Sequence, residues 1–167
     1  MKSELRLGAV TTLLAAFISL TGSSRPVTAF GGTSFTSSTS IHQEIDLSAS
    51  PKRVYEALLD SKQFSQFSGL RADIKPEAGG AFTCFDGVIV GRNVELIPNQ
   101  RIVQAWRSNG WPDGAYSIVK FDLKEHGSGT LLSMDHNGFP EGEKDSLDDG
   151  WKSHYWEPLQ KYFVNRR

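Results

Sequence analysis

The chain has 167 residues, enough for one domain, with 18 basic and 19 acidic side chains and a formal net charge of −1. A charge this close to balance, without a basic patch, gives no footing for nucleic-acid binding. Cys84 is the one cysteine, which excludes an internal disulfide, and an aromatic fraction of 11% is enough for a sizeable core.

The N-terminus reads as a secretory signal over residues 1–29. Lys2 and Arg6 make a basic start, Leu7 to Leu20 a short apolar run, and Val27-Thr28-Ala29 offers small residues before a cut after Ala29. The apolar run is short for a bilayer-spanning helix, which needs ~20 apolar residues. An uncleaved anchor is the alternative. The reading is therefore an exported, periplasmic or extracellular protein with no stable membrane span after cleavage. Removing residues 1–29 takes away Lys2, Arg6, Arg25 and Glu4 and leaves a net charge of about −3. Residues 30–40, rich in Gly, Ser and Thr, read as a flexible leader into one domain over residues 41–167.

Ile41 to Leu47 alternates as a strand does. Ser50-Pro51 marks a helix start, with Ser as cap, Pro at the first helical position, and Val54, Ala57 and Leu58 as the apolar face. Asp60 caps a second short helix, with Gln63 as its box partner, Phe64 and Phe67 turned inward and Gly69 ending it.

Strands and turns follow. Ala72 to Lys75 is a short strand, residues 76–80 a turn, and Ala81 to Phe85 a strand closed by an Asp86-Gly87 hairpin signal. Val88 to Ile97 is a longer strand, in which Gly91 marks either a bulge or a point of close packing. Arg101 to Arg107 and Ala115 to Lys124 come next, the latter with Ala115, Ser117, Val119, Phe121 and Leu123 on one face. Thr130 to His136 is the last strand. Short turns between successive strands predict an antiparallel meander.

Leu147, Trp151, Tyr155, Leu159 and Phe163 then recur every four residues, which puts them on one face of a long terminal helix. Ser146 is expected to cap it, with Asp149 completing a capping box. Asp148 and Asp149 favour the positive end of its dipole, and Arg166 and Arg167 the negative end. Pro158 interrupts the backbone bonding and predicts a kink. So aromatic a face needs a broad apolar partner. The strands supply one, giving an α+β architecture with the helix across the sheet.

Several side chains invite chemistry. Asp135-His136 looks like an acid–base pair, but neighbours on a strand point to opposite faces. His154 and Glu157 lie three apart on a helix, without the second set that a metal site requires. Cys84 sits among Phe82 and Phe85, which favours a buried thiol over a nucleophile. Arg92 and Glu95 face opposite ways unless a bulge intervenes, and one of them is a candidate for orienting a ligand. Trp111, in a turn-rich loop, is either folded back onto the sheet or set at a binding lip. No convergent catalytic set, cofactor or metal site emerges. The candidate cavity residues between sheet and helix are Phe67, Arg92, Glu95, Trp106, Phe121, Trp151 and Tyr155.

Residues 79–123, beginning Gly79-Gly80 and including VELIPNQRIVQAWR, then HNGFPEGE at 136–143 and GWKSHYWEPL at 150–159, resemble the Aha-type domain. This is the C-terminal domain of the activator of the heat-shock protein 90 ATPase and its bacterial relatives, within the START and birch-pollen-allergen-like (SRPBCC) superfamily. The resemblance covers Ile41 to Phe163. It implies a helix-grip fold, a curved antiparallel sheet wrapped around a long C-terminal helix, with two short helices after the first strand. That family mixes chaperone cofactors, carriers of lipids or aromatic ligands, and a few enzymes. Its chaperone activator carries an additional N-terminal domain, whereas residues 1–40 here read as signal and leader. The expected function is a non-enzymatic, exported domain binding a small apolar or aromatic ligand. The alternatives are a module that binds a chaperone or another protein, and a cyclase- or hydrolase-like enzyme carried by Arg92, Glu95 or His136.

Overall fold

The structure, a computed structural model, describes residues 40–165. The expected signal over 1–29, the leader up to residue 39 and the terminal Arg166 and Arg167 lie outside the described residues. Strand β1 (Ser40–Leu47) leads through Ala49 to helix α1 (Pro51–Leu59). Helix α2 (Ser61–Ser68) follows; its first turn is closed by Asp60, whose carboxylate accepts from the Gln63 N–H at 2.8 Å. Gly69, at φ 74°, ends it in the left-handed conformation that glycine adopts without strain. Strands β2 (Asp73–Ile74), β3 (Ala81–Cys84), β4 (Ile89–Ile97), β5 (Arg101–Ser108), β6 (Ser117–His126) and β7 (Gly129–Asn137) complete a seven-stranded antiparallel sheet in the order β1-β7-β6-β5-β4-β3-β2. This is the expected helix-grip arrangement.

Strict alternation puts Ile102 and Trp106 of β5, Val119 and Phe121 of β6, and Leu132, Met134 and His136 of β7 on one buried face. The opposite face is solvated. There Arg101 bonds Asp122 at 2.7 Å, Lys120 bridges Asp122 at 3.1 Å and Asp135 at 2.9 Å, and His42 meets Asp135 at 2.6 Å. Charge runs across four neighbouring strands in alternating sign, and each such surface pair is worth ~1 kcal/mol or less.

Between β3 and β4 the chain turns through a short 3-10 segment, Phe85–Gly87, in which Phe85 and Asp86 both take φ 55°. Gly91 is a close-packing point. A Cβ there would lie 2.2 Å from the Ala105 carbonyl oxygen and 2.4 Å from the Phe82 ring. The bulge falls two residues later, between Asn93 and Glu95.

The terminal helix runs from α3 (Lys144–Gly150) through one wide π-type turn, Trp151–Trp156, into α4 (Glu157–Val164). Two details differ from expectation. Ser146 does not cap it: helical bonding already starts with the Leu147 N–H on the Glu143 carbonyl at 2.9 Å, so Ser146 lies inside the first turn. And the interruption around Pro158 takes the form of the π-type turn. Pro158 has no N–H to give, and the Glu157 N–H just before it reaches back five residues to the Lys152 carbonyl. Trp151, Tyr155, Leu159 and Phe163 are buried against the sheet, with Leu147 half-buried. Burying side chains of this size contributes about 2–3 kcal/mol each.

Candidate functional site

The wide turn has a packing consequence. A spacing of five brings Trp156 over Trp151, the two indoles stacking at 5.5 Å and 18°. Trp156 is thereby buried, although a four-residue period leaves it off the apolar face. Its Nε1–H donates to the Gln43 carboxamide of β1, and the Gln43 amide in turn donates to the Asp148 carboxylate at 2.7 Å. These bonds tie the sheet edge to the start of the helix.

Trp151 is held more deeply. Its Nε1–H donates to His136 Nδ1 at 3.1 Å, so that nitrogen carries no proton. The proton is therefore on Nε2, which donates to Ser117 Oγ at 2.7 Å, and the hydroxyl passes its own to the Trp106 carbonyl at 3.1 Å. Burial pushes the His136 pKa down to about 4, so the ring stays neutral. Trp111 folds back onto this cluster, 5.6 Å from Trp106 and stacked near His136.

Beside the cluster, between the helix and the β4–β5 part of the sheet, lies a cavity of about 370 Å³. Its buried walls are Phe85, Ile89, Trp106, Trp151 and Tyr155. The rings brace one another: Trp151 and Tyr155 at 4.4 Å, Phe85 and Tyr155 at 5.1 Å, Trp106 and Trp151 at 5.8 Å. Leu70 and Val88 form an exposed apolar lip, and Ser108, Glu143, Ser146 and His154 add polar groups around the mouth. The Trp106 Nε1–H is buried with no acceptor in bonding geometry, although the Tyr155 hydroxyl is beside it. A buried donor left unmade costs about 1–3 kcal/mol. Burial also raises the Tyr155 hydroxyl well above its usual pKa, so it is a neutral phenol.

Of the seven residues proposed from sequence, the fold brings Trp106, Trp151 and Tyr155 together on the cavity wall. Phe121 packs behind them, 5.8 Å from Trp151. Phe67 faces elsewhere, against Phe64 and Tyr162. Arg92 and Glu95 are not in the cavity. Arg92 lies on the solvated face by simple alternation, and the bulge between Asn93 and Glu95 turns Glu95 to that face as well; Arg92 donates to the Gly79 carbonyl at 2.9 Å and Glu95 pairs with Arg101 at 3.6 Å. His136 is buried on the other face, so the Arg92, Glu95 and His136 set that an enzyme reading required does not converge. Cys84 is buried, and its thiol pKa is pushed far up by that burial. His154 and Glu157 are exposed, with Glu157 facing Lys161 at 3.8 Å. Among the described residues no three His, Cys, Asp or Glu side chains gather into a metal-holding group, and no helix is long and apolar enough to cross a membrane.

Sequence reasoning missed Phe85, Ile89 and the mouth residues Glu143 and His154 as neighbours of the site. Their signal was faint, because they come from four separate segments.

A family model described as "Activator of Hsp90 ATPase homolog 1-like protein" matches residues 48–164. The human activator of 90 kDa heat shock protein ATPase homolog 1 is 27% identical over 114 residues, covering 68% of this chain and 34% of that protein. The chain thus spans about a third of the length of the curated relatives it matches. The crystal structure of an HSP90 activator from Plasmodium falciparum aligns with a TM-score of 0.70 at 23% identity, over 73% of this chain and 94% of that one. The solution structure of the Aha1 dimer from Colwellia psychrerythraea aligns with a TM-score of 0.65 at 17% identity, over 77% and 99% of the two chains. At these identities the structural likeness shows the fold.

Proposed function

The chain belongs to the family of activator of Hsp90 ATPase homolog 1-like proteins, and on that premise we propose that it is an exported domain whose cavity binds a small apolar or aromatic molecule. The observation that carries the reading is the cavity itself: about 370 Å³, with four braced aromatic side chains among its buried walls and an exposed apolar lip. Ligand sites are concave, mostly apolar and largely preformed, and run from about 300 to 1,000 Å³. Titration of the full chain with a panel of lipids and aromatic compounds, read by tryptophan fluorescence, tests it. Trp106 and Trp151 line the cavity and report directly, and failure of every compound overturns the reading. Export is tested separately. N-terminal sequencing of the protein recovered outside the cytoplasm is expected to begin at Phe30, and recovery only from the cytoplasm with residue 1 intact removes it.

A second reading is a protein-interaction module that assists a chaperone or folding factor. It is supported by the human and Plasmodium relatives, both named as activators of the 90 kDa heat shock protein. Cross-linking in the native compartment that enriches no chaperone counts against it.

A further inference from the structure

We propose that the cavity selects cations: its ligand is a small amphiphile with an apolar or aromatic body among the rings and an ammonium group at the mouth beside Glu143. This rests on the ligand-binding reading above and narrows it to a charge class.

Three observations point the same way. First, Phe85, Trp106, Trp151 and Tyr155 all contribute to the wall. Aromatic faces carry the negative side of a quadrupole, so a desolvated cation gains by approaching them where an anion loses. Second, among the described residues no lysine or arginine lines the cavity, and Glu143 contributes the one carboxylate. Third, among the described residues that carboxylate makes no salt bridge and no cap bond, although it is half-buried. Its neighbour Asp148, by contrast, is taken up by Lys152 and Gln43. A half-buried carboxylate beside apolar surface is a good partner for a cation supplied from outside. An anionic ligand would have to place its charge next to it.

Size limits the body. At ~30 Å³ per water, the cavity corresponds to about twelve waters, which suits a ligand of about a dozen non-hydrogen atoms.

Three probes of that size and nearly one shape separate the possibilities: 2-naphthylmethylamine, charged at pH 8; 2-naphthylmethanol, neutral; and 2-naphthoate, an anion. Calorimetric titration of the full chain at pH 8, where ordinary histidine is neutral, is expected to rank them in that order. The amine should bind about fivefold tighter than the alcohol. Glu143→Gln keeps the shape of the mouth and should bring the amine-to-alcohol ratio close to one. Circular dichroism checks that the variant is folded. Equal binding of amine and alcohol, tighter binding of the carboxylate, or an unchanged ratio in Glu143→Gln overturns the cation assignment and leaves the cavity reading standing. Failure of all three probes, together with the wider panel, overturns both.

Discussion

Trp151 and His136 are joined by one buried hydrogen bond, the indole N–H on the imidazole Nδ1 at 3.1 Å. It connects the first residue of the π-type turn to the C-terminal end of β7. It sets the imidazole tautomer and the height at which the helix lies over the sheet. It also fixes one wall of the cavity. Trp106, the neighbouring wall, has no such partner for its own N–H.

The two indoles should therefore respond differently to the same change. Trp151→Phe leaves a buried imidazole nitrogen without its donor, whereas Trp106→Phe removes a polar group that was already unpaired. Both lose packing. The excess cost of Trp151→Phe over Trp106→Phe is expected at about 1–3 kcal/mol in urea unfolding. Equal costs would mean that the hydrogen bond contributes nothing net.

His136 makes stability depend on pH. Burial lowers its folded pKa to about 4 from about 6.5 in an unfolded chain. Between those values the unfolded state binds a proton that the folded state does not. Stability is therefore full above about pH 6.5, falls as pH drops toward 4, and loses no more from this residue below that. The loss amounts to about 3 kcal/mol. Unfolding midpoints between pH 7 and 4 measure it, and His136→Gln should flatten that part of the profile.

Gly91→Ala places a methyl group 2.2 Å from the Ala105 carbonyl oxygen and 2.4 Å from the Phe82 ring. The carbonyl belongs to a paired strand and cannot move away alone. A loss of about 1–3 kcal/mol is expected in thermal or urea unfolding. A neutral result would show that β4 and β5 separate at little cost.

Lys120 is the hub of the outer charge row, between Asp122 and Asp135. All three side chains are about one-fifth to one-third exposed. Lys120→Met should cost only about 1 kcal/mol in dilute buffer, and less in 1 M salt, where screening shortens the reach of the charges. An effect insensitive to salt would point to packing by the lysine stem.

Much of the fold was legible because its signals are local. Ser117, Val119, Phe121 and Leu123 alternate with polar neighbours and form the buried face of β6. Asp60 and Gly69 bracket α2 as their chemistry requires. Trp151, Tyr155, Leu159 and Phe163 share a face because helical spacing puts them there. The wall residues Trp106, Trp151 and Tyr155 followed from the same periods.

What the chain could not show alone depends on register and on contacts distant in sequence. One extra residue in β4 sends Glu95 to the solvated face that Arg92 already occupies, since a side chain's face is set by a period of two and a single insertion reverses it. One wide turn buries Trp156. His136 and Trp151, Gln43 and Trp156 find each other only once sheet and helix are packed. Whether a gap remains between helix and sheet is decided by how these few large rings settle. The sequence by itself thus determined the strands, the helices and which faces are apolar, because backbone geometry repeats over two to four residues. Only the tertiary structure decided that a cavity exists and that Glu143 stands at its mouth, because cavity shape depends on side chains from distant segments meeting in one place.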